Sequence, residues 1–214
     1  DAYWLPDTTG TDYRIKHSKT TILLADLDFE ARKLGYFHNA GYFELSGEDF
    51  QQVFQLDISP TDTPLPLFAE LVRIDRIVRL APAELAAKSW ELLQRHLDRR
   101  PSSNPFERFG ARFTADLPQM QSKGLAYYHA WAFASIRQAG AAFDLAAANL
   151  RWQSEFNHPE LNAAASHFET IAQLNKALIL KGARSVNSGR AFDATPMMEE
   201  MASAWEKGMR LLSE

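Results

Sequence analysis

The chain has 214 residues, 46% apolar and 23% charged, the balance of an ordinary globular protein long enough to bury a core without staples. It contains no cysteine, which excludes a disulfide framework, a thiolate metal site and any cysteine nucleophile within this sequence. With 23 Lys and Arg against 27 Asp and Glu the net charge is −4, so the global positive field of a nucleic-acid binder is missing.

No apolar run approaches the ~18 residues of a membrane span, and Asp1 opens no signal-peptide pattern. The expected location is therefore cytoplasmic, with neither nucleic acid nor membrane as partner. The chain does not begin with Met, which suggests that a segment upstream has been removed or left out.

Thr20 to Leu27 has the β-branched and aliphatic content of a buried strand. Leu34–Phe37 and Tyr42–Leu45 follow as two more short strands, giving a meander. Ser46 and Asp49 are spaced as a capping box, so a short helix from about Gly47 closes the unit. Pro60, Pro64 and Pro66 make residues 58–66 an inter-domain linker, and residues 67–80 fit either a strand or a helix.

From Ala81 the apolar period changes from about two to about 3.6 residues. Helices are expected over Pro82 to about Asp98 and over 105–117, the latter opened by Asn104-Pro105 with Glu107 behind them. Leu125, Tyr128, Ala132, Ile136, Ala139, Phe143, Ala147 and Leu150 keep one helical phase. They predict a single long central helix over about 121–153, with any bend at Gly140. Further helices run from Pro159 to about Ala183 and onward from Thr195-Pro196. The fold class is α+β: a small antiparallel sheet unit over residues 1–80 and an all-α bundle over 81–214.

The densest run of chemically capable side chains is the polar loop Asp7 to Lys19. His17 stands at the mouth of the first strand, fixed by backbone yet open to solvent, as a general base must be. The second strand ends in His38-Asn39, and a hairpin returns that end to the level of His17. Asn39 could then accept the ring N–H and hold the tautomer. The same residues also fit a loop histidine that makes one hydrogen bond and does no chemistry.

Glu155-x-x-His158 has di-iron spacing but lacks the second such pair, and His158 precedes Pro159, so an ordinary turn is the better reading. No metal and no cofactor is expected. Arg95, His96, Arg99, Arg100, Arg108 and Arg112 read either as a solvated face or as a docking patch for an acidic partner. The loop 181–190 is basic and glycine-bearing but matches no P-loop, and reads as a helix cap and connector.

The segments Tyr3-Trp4-Leu5-Pro6-Asp7-Thr8-Thr9-Gly10, His17-Ser18-Lys19-Thr20-Thr21-Ile22, Leu34-Gly35-Tyr36-Phe37-His38-Asn39-Ala40-Gly41 and Trp131-Ala132-Phe133-Ala134-Ser135-Ile136-Arg137-Gln138 resemble an uncharacterised bacterial family, domain of unknown function 1839. Tyr-x-Leu-Pro, a polar loop, His, a strand and a second strand ending in Asn is also similar to the C-terminal half of papain-like folds. The nearest such pattern is the amino-terminal domain of butirosin biosynthesis protein H, an acyltransferase fed by a carrier protein.

That resemblance implies a cysteine nucleophile on an earlier helix, His17 as its base and Asn39 as the orienter. It also implies that the nucleophile lies in an N-terminal segment outside this chain, where members of the resembled family carry Asn-Cys-Tyr. Tyr13, Arg14 and Lys19 would stand near the substrate entrance, and Arg95, Arg99 and Arg100 would meet an acyl carrier protein with its phosphopantetheine arm. The expected activity is acyl or aminoacyl transfer from a thioester. A non-catalytic carrier-protein or partner-binding module and a cysteine peptidase-like hydrolase are the alternatives. If His17 and Asn39 lie beyond hydrogen-bond reach of each other and no cleft opens beside His17, the enzyme reading loses its support.

Overall fold

The computed structural model describes residues 1–56, 59, 66–156 and 158–213. It divides into two compact units, Asp1–Ile77 and Val78–Glu214. Most of the proline-rich linker expected at 58–66 lies outside the described residues.

In the first unit, β1 (Leu23–Asp28), β2 (Lys33–His38) and β3 (Gly41–Ser46) form an antiparallel sheet in the order β1-β2-β3, followed by α1 (Gly47–Val53). Asp28 Oδ1 accepts the Ala31 N–H at 2.8 Å and sets the first turn. The second turn is the pair Asn39-Ala40, closed by the His38–Gly41 pairing, with Asn39 in the left-handed region at φ 53°. Alternation along β2 puts Leu34, Tyr36 and His38 on one face. There Leu34 and Tyr36 pack with Leu5, Leu45 and Phe50 as a small core. Gly35 lies on the opposite face under Tyr42, whose hydroxyl would be 1.9 Å from any Cβ placed there.

Two expectations for this unit are corrected. β1 is exposed along its whole length rather than buried: it is an edge strand, and none of its side chains joins the buried cluster of the unit. Ser46 stands at the N-cap of α1 but its hydroxyl makes no capping bond.

The second unit is helical: α2 (Pro82–Leu97), α3 (Pro105–Lys123), α4 (Leu125–Ala134), α5 (Ile136–Ser154), α6 (Leu161–Ser188) and α7 (Thr195–Leu211). Asn104 Oδ1 caps the Phe106 N–H at 3.0 Å, which fixes the start of α3. α3 continues through Pro118 and stops at Gly124.

The predicted 121–153 helix is two helices. The break falls at Ser135, whose hydroxyl donates to the Trp131 carbonyl at 2.7 Å in place of a backbone N–H. Gly140 sits inside α5 as a close-packing point, where a Cβ would lie 3.0 Å from that of Asn175. The central helix is α6, which packs on α3, α4, α5 and α7 and buries Leu161, Phe168, Ile171 and Leu178 along its length. Among the described residues no helix is long and apolar enough to cross a membrane.

Burial raises the Tyr128 phenol to about 12. Burial, then the hydrogen bond to Asp7, raises Tyr36 further. Both side chains are held neutral, so their contribution to stability is whole below the ordinary phenol value of ~10 and is lost as pH climbs through the folded values. In an alkaline titration of phenolate absorbance, Tyr128→Phe removes a step near pH 12; loss of a step at the ordinary tyrosine value instead would contradict its burial.

Candidate functional site

The polar loop before β1 folds back on the first residues of the chain. Ala2 donates its N–H to the Ser18 carbonyl at 2.8 Å. Asp1 Oδ1 accepts the backbone N–H groups of Tyr3 at 3.1 Å and Ser18 at 3.3 Å. Its other oxygen, Oδ2, lies 2.7 Å from His17 Nδ1. The ring stacks flat on Tyr3, with centroids 4.3 Å apart and planes within 9°.

A carboxylate can only accept, so in the neutral ring Nδ1 carries the hydrogen and Nε2 keeps its lone pair. His17 is 62% exposed, and among the described residues none hydrogen-bonds its Nε2. The expected partnership with Asn39 is not formed: Asn39 is an exposed turn residue, and Asp1 holds the ring in its place.

The other predicted residues of this loop have been drawn to α1. Tyr13 donates its hydroxyl to Asp49 at 2.9 Å, and Arg14 pairs with Asp49 at 2.7 Å and Glu48 at 3.0 Å while lying over the Trp4 ring. Their polar ends clamp the loop onto the acidic first turn of α1. Lys19 is exposed.

A second and more buried cluster lies one strand away. Asp7, with its side chain 3% exposed, offers Oδ1 to the Tyr36 hydroxyl at 2.6 Å and Oδ2 to His38 Nδ1 at 2.5 Å. His38 Nε2 is 2.9 Å from Thr20 Oγ1. Acid, imidazole and hydroxyl therefore form one hydrogen-bonded chain leading from the core to half-buried Thr20. Sequence reasoning gave no site role to Asp1, Asp7, Thr20, Tyr36 or His38. The available signal was the period-two spacing of Leu34, Tyr36 and His38, which places two polar tips on a core-facing side where each requires a partner.

In the second unit, Arg95 is paired with Glu91 at 2.8 Å, Arg112 with Asp116 at 2.6 Å, and Arg100 donates to the Ser213 hydroxyl. Arg99 is exposed. Arg100 also lines a groove of about 770 Å³ with Leu97, Trp205, Met209 and Arg210, but Asp98 and Glu206 line it too, so the groove is not uniformly basic. His158 stacks on Trp90 at 4.1 Å and pairs with Glu160. No group of three metal-capable side chains occurs among the described residues.

Comparison with known families finds the DUF1839 N-terminal domain over residues 1–74 and the DUF1839 C-terminal domain over residues 82–214. The chain belongs to the DUF1839 family. The two matched stretches follow the two compact units of this DUF1839 chain, each carrying its own core. No curated protein matches it. No solved structure matches it either.

Proposed function

We propose that this DUF1839 chain is the base-bearing part of a cytoplasmic, papain-like thiol enzyme, similar to the amino-terminal domain of butirosin biosynthesis protein H. It moves an acyl or aminoacyl group from the phosphopantetheine thioester of a carrier protein. The observation that supports this is His17: Nδ1 is anchored by a carboxylate at 2.7 Å, and the side chain is exposed. Anchoring one nitrogen fixes tautomer and ring direction, which is what an orienter does for a catalytic imidazole. Asp1 takes the role expected of Asn39, and the reading rests on that anchored ring: the bond to Asn39 is not made, and the grooves lined by Phe106 and Met198 and by Leu97 and Trp205 do not include His17.

The nucleophile is a cysteine contributed from outside this stretch of sequence. His17 Nε2 takes the thiol proton, the thiolate attacks the thioester carbonyl, and the carrier's sulfur leaves with the proton returned from the ring. The acyl group then passes from the enzyme sulfur to the acceptor. A positioned base contributes ~10²- to 10⁴-fold in rate. His17→Ala in the complete gene-encoded protein is therefore expected to lower turnover of an acyl-pantetheine thioester by about that factor, and Asp1→Asn by a smaller one. Turnover unchanged in His17→Ala overturns the assignment.

A further inference from the structure

The buried chain Asp7–His38–Thr20 is separate from His17 in its hydrogen bonding and needs no sulfur. Asp7 holds the Nδ1–H of His38, so the neutral ring presents a bare Nε2 to Thr20. The bond at 2.9 Å must then run from the threonine hydroxyl to the ring, the direction that readies an oxygen to attack. The acid is itself held: Tyr36, fully buried and kept neutral, donates to the remaining carboxylate oxygen. The acid and base side chains are thus buried, while Thr20 at the end of the chain is half-buried. A buried imidazole needs a partner for its acceptor nitrogen in any role; what suits a nucleophile is that this partner is a hydroxyl at the half-buried end of the chain, backed by an anchored base and acid.

We propose that Thr20 is a nucleophilic hydroxyl, activated by His38 and Asp7, that takes an acyl group from an ester or thioester. Thr20 Oγ1 forms the new bond to the acyl carbon while its proton passes to His38 Nε2. The tetrahedral adduct expels the alkoxide or thiolate, which leaves with that proton. The product is an acyl ester on Thr20 and a neutral His38, and water deprotonated by the same nitrogen then hydrolyses the ester.

The test uses the cysteine-free chain as it stands, with p-nitrophenyl acetate as the probe and peptide mass spectrometry as the readout. The expected result is acetylation of the peptide bearing Thr20, released by hydroxylamine as an ester is and as an amide on neighbouring Lys19 is not. Thr20→Val, nearly isosteric, loses the adduct; Thr20→Ser keeps it. His38→Gln lowers its rate of formation at least ~10²-fold. No hydroxylamine-labile adduct on Thr20 together with no His38-dependent release of p-nitrophenol, or equal rates with and without His38, overturns the proposal. Because no thiol is present, that failure leaves the reading of His17 standing.

Discussion

Replacing Asp7 with Ala is expected to unfold most of the sheet unit at ambient temperature. The carboxylate satisfies two donors that have no water to turn to, the hydroxyl of fully buried Tyr36 and Nδ1–H of His38. Leaving a buried donor unpaired costs about 1–3 kcal/mol, so two of them cost roughly 2–6 kcal/mol. Against this, among the described residues the unit's buried cluster is five side chains, Leu5, Leu34, Tyr36, Leu45 and Phe50, with Ile22, Val53 and Phe54 half-buried against it. A core that small leaves a stability of a few kcal/mol at most.

Amide hydrogen exchange separates this loss from damage elsewhere. The amides of Leu34, Tyr36 and His38 on β2 should lose protection in Asp7→Ala, while those of Ile171 and Leu178 on α6 stay slow. Asp7→Asn should fall between, since its amide oxygen still accepts one of the two bonds. Protection of β2 equal to wild type would show that the network is not what holds the sheet to the loop.

Much of the architecture was legible because it is written in periodicity. The change from period two to period 3.6 near Ala81 marks the boundary between sheet unit and helices, and Asn104-Pro105 marks a helix start that the cap at 3.0 Å bears out. Where the reading failed, a single side chain had replaced a backbone interaction. Ser135 takes over the Trp131 carbonyl, so the chain bends without disturbing the apolar phase on either side, and a phase argument cannot see that break. β1 shows the converse case: its apolar content was plain, but burial depends on what covers an edge strand, which composition does not state.

The candidate site divides in the same way. His17 was legible from its position before a strand, but its partner was not, because Asp1, Asp7 and Asp12 all lie close ahead of it in the chain. Folding sorts them: Asp1 goes to His17, Asp7 to Tyr36 and His38, and Asp12 accepts from the Ser18 hydroxyl at 2.7 Å. That sorting follows from the 3-10 turns at Ala2–Trp4 and Pro6–Thr8, which turn successive acids toward different neighbours.

The helical unit should be most sensitive at Gly182, where Ala is expected to destabilise by about 2–4 kcal/mol although it is the better helix former by ~1 kcal/mol. The added Cβ would lie 2.2 Å from the Tyr128 hydroxyl and 2.7 Å from Cζ, so the ring must move. Tyr128 has little room to yield: it is fully buried, and its hydroxyl donates to the Ile179 carbonyl of α6 at 3.0 Å. Moving it gives up both that bond and the seat of α4 on α6. Urea unfolding of the full chain, followed by tryptophan fluorescence, measures the loss. Tyr128→Leu, which shortens the side chain, provides the second arm of a cycle. In that background Gly182→Ala should turn neutral or stabilising, by up to ~1 kcal/mol, since only the propensity gain remains. An equal penalty in both backgrounds would mean that the glycine serves some contact other than the tyrosine ring.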